Sequence, residues 1–417
     1  MAQLSTDAFA FGADLMRVEE ALALVIGRIP PIAETERVHI ADADRRVLVR
    51  SVSAPIDLPV FDNSAVDGYA VAYADLNAHG TTRLPVVGRI TAGQIVDRQG
   101  ARGIAVRIFT GAAMPPGTDT VFMQEDVRLL DDGGVELPPG LARGANRRAK
   151  GEDIARGDAA LTPSRYLEPR DIALAAALGL SHLEVLRRPR VAVFSTGNEL
   201  REPGTPLAPT AIYDSNRFAL TALLRRSGCE VTDLGILQDD RDAMQASLSA
   251  ATQAHDLVIT SGGVSAGEED HVRAAIAGSG SIVFWRLAIK PVRPVAMGVM
   301  NSTPLVGLPG NPVAVFVTFA YIVRPLIAAM AGVIPIPPVP SAVIAGFSYR
   351  KKAGRREYLR VSLEQRGTQT IATKYPVDGA GVITSLTRTD GLVELGEDRL
   401  NVEPGDSVPF IDYRQLT

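Results

Sequence analysis

The segment RVAVFSTGNEL, residues 190–200, decides the fold of the central part of this chain. An apolar run that passes directly into a polar loop carrying Gly197 and Glu199 is typical of a strand buried on both faces of a parallel sheet. The same pattern returns in DLGILQDD (233–240) and VITSGGVSAGEED (258–270). The chain therefore repeats one sequence pattern, in which a predicted buried strand is followed by a loop that contains acids or glycines.

Helical patterns separate these strands. DSNRFALTALLRRSG (214–228), with Asp214 or Ser215 as its cap, and DRDAMQASLSAATQ (240–253) both predict helices. Strands that alternate with helices predict a parallel sheet covered on both faces. In such sheets, ligands bind beyond the carboxyl ends of the strands.

The remainder of the chain shows other patterns. An amphipathic helix is predicted over 14–29, short alternating runs broken by Pro and Gly follow from about 55, and four prolines between 335 and 340 predict a stiff linker. The fold class expected is α/β plus β, in an elongated multi-domain chain. The predicted regions are a helical and linking region (1–54 and 147–188), a β-rich module (55–146), the α/β domain (189–334) and a small barrel-like C-terminal β domain (338–417).

The bulk composition excludes several classes. A net charge of −4 without a long basic run argues against nucleic-acid binding. The single cysteine, Cys229, excludes an intrachain disulfide, an iron–sulfur cluster and a thiolate zinc site, and it is expected to pack in a core. We expect a reducing cytoplasm, no signal peptide and no membrane, because the longest apolar run, 313–323, is interrupted by Arg324 and Pro325 and predicts a buried helix.

The strand-end loops carry the chemistry. Glycines let backbone N–H groups approach an oxyanion and hydroxyls add donors, while carboxylates suit Mg²⁺ beside a phosphate. Each loop alone is also compatible with a purely structural turn. The candidates are Thr196, Gly197, Ser261, Gly262, Gly263 and Ser265 for the oxyanion and Glu199, Asp239 and Asp270 for the acids.

Cations and a further helix start lie beyond these loops. WRLAIKPVRP (285–294) supplies Arg286, Lys290 and Arg293, which would clamp phosphates or else form a solvated edge. PGNP places Gly310 and Asn311 just before a helix, so that its N-terminus points at a ligand.

FDNSAVDGYAV (61–71) puts Asp62 and Asp67 in one short segment, which is either a surface turn or a site for a cation or phosphoanhydride. No Walker loop or dinucleotide fingerprint occurs. GVSAG (263–267) matches a nucleophile elbow, but the last histidine, His271, lies too close to complete that triad.

Nine motifs in order resemble the MoeA family of molybdopterin molybdenumtransferases, which includes the C-terminal part of gephyrin. They are FDNSAVDGYAV, FTGAAMPPGTDTVFMQED, RRAKGEDI, FSTGNEL, YDSNR, GILQDD, SGGVSAGEED, LAIKPVRP and GLPGNP. The resemblance is dense from about 55 to 313 and thin afterwards.

The resemblance implies the last step of molybdenum cofactor synthesis: adenylylated molybdopterin reacts with molybdate, AMP leaves and the metal enters the dithiolene. It implies Mg²⁺, a MogA-like α/β domain, a homodimer whose sites are shared between subunits, and the molybdopterin adenylyltransferase as a further partner. Soft sulfur ligands would come from the pterin, so the chain needs no cysteines of its own.

Site residues follow from the same resemblance. Asp67 is assigned to the hydrolytic step, with Thr110 and Asp153 beside it, and Asp62 to stabilising the turn. Lys290 is assigned to a phosphate or oxyanion. The metal or pyrophosphate is assigned to Glu199, Asp239 and Asp270.

Four residues depart from the family pattern: Arg286 and Arg293 replace common lysines, Asn198 a common Asp and His271 a common Tyr. Two rivals stay open. One is the adenylyltransferase itself, whose fold resembles only the α/β domain; the other is a gephyrin-like scaffold with little catalysis.

Overall fold

The protein is built around three six-stranded sheets, each in a different part of the chain. The structure is a computed structural model that describes residues 15–27, 29–94, 102–237, 240–263, 280–285, 287–291 and 295–417.

The central sheet forms an α/β domain. Its strands, in spatial order, are Glu230–Leu237, Arg190–Thr196, Leu257–Ser261, Thr303–Leu308, Val295–Met300 and Gly280–Trp285. The first four are parallel, as the sequence predicts, but the last two pairings are antiparallel, so Val295–Met300 runs against the other five strands. The reversal follows from a two-residue turn, Asn301–Ser302, in which both residues have positive φ angles of 52° and 68°. The predicted all-parallel sheet is thus a mixed one.

Helices cover both faces of this sheet. Leu220 and Leu224 of helix Asn216–Arg226 share a core with Val191 on one face. Met244 and Leu248 of helix Arg241–Ala254 pack against the other face. Burial on both faces explains why the strands are almost continuously apolar. Cys229 is buried beside the first helix and is a core residue, as predicted.

A long apolar helix runs beneath the domain from Pro312 to Met330. It continues through Arg324 and Pro325, which interrupt the apolar run without ending the helix, and it is largely buried, as predicted. A π-helical stretch, Phe319–Val323, comes directly before them and accommodates the missing proline N–H. Among the described residues this is the one helix whose 19 residues and mean hydropathy of 2.0 would suffice to cross a membrane, and 78% of its apolar window is buried inside the protein.

A β-rich module precedes the α/β domain. Its strands, in spatial order, are Thr120–Met123, Gly68–Val71, Ala105–Ile108, Thr82–Ile90, Gly134–Leu137 and Arg128–Leu129. Tyr69 and Phe122 anchor one core of the sheet, and Ala70 and Val121 anchor another. Both cores contain only residues of this module, so it packs as its own unit.

The segments before and after the module fold together. Strand Thr35–His39 pairs with His182–Leu186, and Val52–Ser53 pairs with Ala159–Leu161. Helix Pro169–Ala177 covers the first of these regions, and helix Val18–Ile26 packs on the long apolar helix. The remaining short pairs are Asn63–Ser64 with Arg147–Arg148, Leu200–Arg201 with Ile212–Tyr213, and Tyr349–Arg350 with Asn401–Val402.

The C-terminal region closes into a five-stranded barrel. Its strands are Ser341–Ala345, Arg356–Arg366, Gln369–Lys374, Gly391–Leu395 and Ser407–Asp412. Closure comes from the pairing of the second strand with the fourth. The α/β domain adds Ile289–Lys290 to the start of strand Arg356–Arg366, so the two domains share backbone hydrogen bonds.

Candidate functional site

The loops at the carboxyl ends of two central strands meet, as the fold predicts. Ser195 lies opposite Ser261 in the parallel register, and Gly262 donates its N–H to the carbonyl of Leu308 over 3.1 Å. Gly262 has φ +88°, and a Cβ there would lie 2.6 Å from the Thr196 carbonyl oxygen. Only glycine allows this approach, which keeps the loops in contact.

Thr196 carries an unused hydroxyl at this edge. Its Oγ1 is buried and has no hydrogen-bond partner among the described residues. A buried hydroxyl without a partner is uncommon, so a ligand that supplies the missing bond fits here. The following residue, Gly197, has φ +152°. A Cβ added at Gly197 would lie 2.7 Å from Oε2 of Glu199, so the carboxylate occupies the space beside the glycine.

Asn216 joins two of the predicted loops, and the sequence reasoning missed it. Its side-chain amide donates to Ser261 Oγ over 2.9 Å and to the Gly310 carbonyl over 2.7 Å. Asn311 is the N-cap position of the helix that starts at Pro312. The signal was present in YDSNR, since an amide near a helix start beside strand-end loops can bridge them.

Arg217 lies beneath these loops and is only 3% exposed. Its guanidinium bonds the carboxylates of Asp214, Asp233 and Glu202. These contacts tie the loop after strand Arg190–Thr196 to the neighbouring strand and helix, so they position the backbone around Glu199.

The β-rich module holds a separate acid. Asp67 accepts hydrogen bonds from the backbone N–H and the hydroxyl of Thr110, both at 2.8 Å. The Thr110 N–H and then its hydroxyl lower the pKa of Asp67, with a smaller contribution from Arg107. Asp67 is therefore an ionised, oriented carboxylate at neutral pH. Next to it, Gly68 cannot carry a side chain, because a Cβ would lie 1.8 Å from the Phe122 carbonyl oxygen.

The other two acids of this region differ from Asp67. Asp62 accepts the Lys150 N–H over 2.8 Å and pairs with Arg147 at 3.3 Å, so it fastens the turn to the connector. Asp153 is exposed, and its backbone N–H donates to the Leu58 carbonyl over 3.0 Å, while its carboxylate has no hydrogen bond or ion pair among the described residues. No contact among the described residues joins Asp153 to Asp67.

Lys290 lines a cavity of about 240 Å³ between the α/β domain and the barrel. Its Nζ lies 3.0 Å from the Tyr349 hydroxyl and 3.2 Å from Glu357 Oε2. Burial alone would lower the pKa of Lys290, but the hydrogen bonds with Tyr349 and Glu357 outweigh it and raise the pKa. Lys290 is a stable cation on the cavity wall.

Arg360 lines the same cavity and was not predicted. It is 5% exposed and donates to Ser385 Oγ over 3.1 Å and to the Gly379 carbonyl over 3.2 Å, both of them neutral acceptors. Burial lowers its pKa, and no carboxylate among the described residues forms an ion pair with it. The available signal was an arginine inside the apolar strand pattern YLRV.

The predicted site residues fall into two groups: one in the β-rich module, and the other at the strand-end loops and Lys290. Among the described residues, no hydrogen bond or ion pair joins Asp67, Thr110 or Asp153 to the strand-end loops or to Lys290. The described residues also contain no group of three or more His, Cys, Asp or Glu that could hold a metal ion. The predictions for Ser265, Arg286, Arg293, Asp239 and Asp270 lie outside the described residues, as does that for His271.

Three family descriptions match successive parts of the chain: the MoeA N-terminal region (domains I and II) at 16–179, a probable molybdopterin-binding domain at 192–329 and the MoeA C-terminal region (domain IV) at 342–413. A molybdopterin molybdenumtransferase of Haemophilus influenzae is 36% identical over 405 residues, 96% of this chain and 100% of that protein. Molybdopterin molybdenumtransferase 2 of Mycobacterium tuberculosis is 37% identical over 388 residues, 90% of this chain and 94% of that protein.

Solved structures give the same result. A molybdopterin biosynthesis MoeA protein from Pyrococcus horikoshii aligns with a TM-score of 0.80 at 28% identity, covering 96% of this chain and 100% of that one. The fold class and the family expected from the sequence motifs are confirmed. The chain belongs to the MoeA family, whose named relatives are molybdopterin molybdenumtransferases.

Proposed function

We propose that this protein is a cytoplasmic, Mg²⁺-dependent molybdopterin molybdenumtransferase that transfers molybdenum from molybdate to adenylylated molybdopterin and releases AMP. The observation that carries the proposal is the cavity at Lys290 and Arg360. Molybdate is a tetrahedral dianion, and a cavity lined by a charged lysine and by a buried guanidinium that has no ion pair among the described residues suits it. Two carboxylates line the same cavity and each has a cation: Glu357 pairs with Lys290 and accepts a hydrogen bond from Tyr349, and Asp378 pairs with Lys374, so Arg360 is the cation left for the anion.

The strand-end loops would hold the phosphates of the nucleotide. The unpartnered Thr196 hydroxyl and the glycine backbone at 262–263 offer hydrogen-bond donors. Glu199 is exposed, and its carboxylate has no ion pair among the described residues. Since Mg²⁺ is commonly bound through one or two carboxylates and substrate phosphates, Glu199 fits as a ligand, and the ion would neutralise the phosphoanhydride.

Asp67 would accept a proton in the hydrolytic step that separates AMP. Its lowered pKa keeps it deprotonated, and Thr110 fixes its direction. We further propose a homodimer in which the module of one subunit completes the site on the α/β domain of the other. Ile212, Tyr213 and Phe218 support this arrangement, because they are exposed apolar side chains beside the strand-end loops. The adenylyltransferase would supply the substrate.

The direct test is nucleotide release from adenylylated molybdopterin, with molybdate and with or without Mg²⁺. Asp67→Asn should lower the rate by about a thousandfold, as expected for a lost general base. Asp62→Asn is the matched control, since it changes a neighbouring carboxylate in the same segment and should retain most activity. Equal rates for wild type and Asp67→Asn would remove Asp67 from the mechanism.

Sharing between subunits has its own test. Mixed dimers of Asp67→Asn and Lys290→Ala subunits contain one intact composite site if the two residues act across the interface. We expect partial recovery of AMP release on mixing, whereas each variant alone stays inactive. A protein that sediments as a monomer, or a mixture with no recovery, contradicts the shared site.

A further inference from the structure

A second cavity, of about 430 Å³, lies away from the residues discussed above. Its wall combines the proline linker at 333–339, the start of the second half of the long helix at Arg324, and the C-terminal segment 414–417. Arg45 and Tyr166, from the N-terminal region, complete it. None of the predicted site residues that the structure describes lines this cavity, so the proposed transferase reaction leaves it unexplained.

The charged side chains on this wall all have the same sign. Arg45, Arg324 and Arg414 line the cavity, and none of its lining residues is Asp or Glu. Arg414 already pairs with Asp412, and Arg45 donates to the Arg226 carbonyl over 2.8 Å while its guanidinium stands 6.0 Å from the Tyr166 ring. Arg45 and Arg324 therefore form no ion pair with a carboxylate side chain among the described residues.

Arg324 is the residue that needs an explanation. Its Nε is buried without a hydrogen-bond partner, and no ion pair reaches its guanidinium among the described residues. Burial lowers the pKa of Arg324, and the like charge of Arg45 lowers it further. Arg324 as a whole is half-buried and faces the cavity. A partly buried guanidinium without an ion pair keeps part of its desolvation cost, so an anionic group that pairs with it would be bound favourably.

The opposite wall is apolar. Ile334 and Ile336 are 74% and 75% exposed, and they line the cavity together with Pro335, Pro337 and Pro338. Prolines hold this wall extended at little entropic cost. The cavity lining thus combines the guanidinium groups of arginines with a stiff hydrophobic surface formed by the proline linker.

We propose that this cavity binds a small organic anion, whose phosphate or carboxylate head pairs with Arg324 and Arg45 and whose apolar body lies against the proline wall. Guanidinium forks match both kinds of head group. A cavity of this size holds a ligand of about the size of a substituted aromatic ring. The site is separate from the proposed transferase site and does not depend on it.

The test is calorimetric titration with phenyl phosphate, benzoate and inorganic phosphate, carried out in the Lys290→Ala background so that the molybdate cavity does not contribute. We expect phenyl phosphate or benzoate to bind with a dissociation constant below about 1 mM, and more tightly than inorganic phosphate. The stronger of the two identifies the head group. Arg324→Gln should weaken that binding by at least about tenfold. Arg366→Gln, on an exposed hairpin, is the matched control and should bind as the parent does.

Folding is monitored separately. Without added anion, Arg324→Gln should melt at or above the temperature of its parent, because it removes a partly buried charge that has no ion pair among the described residues. With the anion, only the parent should be stabilised further. Binding that is unchanged in Arg324→Gln, or the absence of saturable binding by all three probes, would overturn the proposal. A marked fall in melting temperature of the anion-free variant would also contradict it, since Arg324 would then be a structural residue.

Discussion

Arg217 and Arg360 are both buried arginines beside the candidate site, but they meet opposite surroundings. Arg217 lies under the strand-end loops and contacts three carboxylates, one of which, Asp214, is 2% exposed. Arg360 lies in the wall of the barrel and contacts a hydroxyl and a carbonyl. Carboxylates of the protein neutralise the Arg217 guanidinium, whereas the Arg360 guanidinium has no ion pair among the described residues and can pair with a ligand.

The difference separates structural from ligand-binding charges. Removing one member of a buried ion pair strands its partners, whereas removing a buried cation without a partner relieves a desolvation cost. We therefore expect Arg217 to support the fold and Arg360 to support binding. Arg324 is half-buried and likewise has no ion pair among the described residues, so we expect it to support binding as well.

The largest effect is expected for Arg217→Ala. It leaves Asp214 buried without its cation, and we expect a loss of about 3 kcal/mol in the free energy of unfolding of the α/β domain, because Glu202 and Asp233 can turn to water. Denaturant titration followed by circular dichroism measures this loss. Arg225→Ala, on the exposed side of the same helix, is the control. A loss equal to that of the control would show that the three carboxylates do not depend on Arg217.

Arg360→Met should reverse this pattern. The free energy of unfolding should change by less than about 1 kcal/mol, while the KM for molybdate should rise by about tenfold to a hundredfold, the range for a lost charge-assisted bond. Steady-state AMP release at varied molybdate gives the KM, and Arg366→Met is the control. If Arg360→Met destabilises the protein as much as Arg217→Ala does, the distinction between the two arginines fails.

The smallest effect is expected for Thr110→Val, which tests the acid rather than the cations. The Thr110 N–H and hydroxyl lower the pKa of Asp67, so the carboxylate persists as the pH falls and is lost only below that pKa. Without the hydroxyl the pKa rises, and the acidic limb of the pH–rate profile should move to higher pH. The rate at neutral pH should fall by less than about tenfold. Thr81→Val, at an exposed position in the same module, is the control and should not shift the acidic limb of the pH–rate profile.

The sequence predicted the features that depend on neighbouring residues. The apolar run before Thr196 was enough to predict a buried strand, and the polar loops after such strands had to meet once the strands were parallel. Asp67 and its glycine were visible in one short segment, and Thr110 joined them only through the family resemblance. These features follow from local periodicity and turn chemistry.

Features that depend on the choice of a distant partner were missed. The antiparallel hairpin at Asn301–Ser302 reverses Val295–Met300 within a sheet that the alternation of strands and helices alone suggested was parallel. Arg360 becomes part of a site only because the barrel packs against Lys290. Asn216 bridges Ser261 and Gly310, which are far apart in the sequence. No periodicity within one segment contains this information.

The strand Ile289–Lys290 limits how the chain can be divided. A fragment that starts at the proline linker would contain all five barrel strands, yet it would lose the segment that pairs with Arg356 and Glu357. Glu357, 4% exposed, would then keep its contact with Tyr349 but lose its lysine. An excised barrel would thus carry an open backbone edge next to an uncompensated acid, which favours self-association. To be stable on its own, an isolated barrel would need the strand Ile289–Lys290 joined to it.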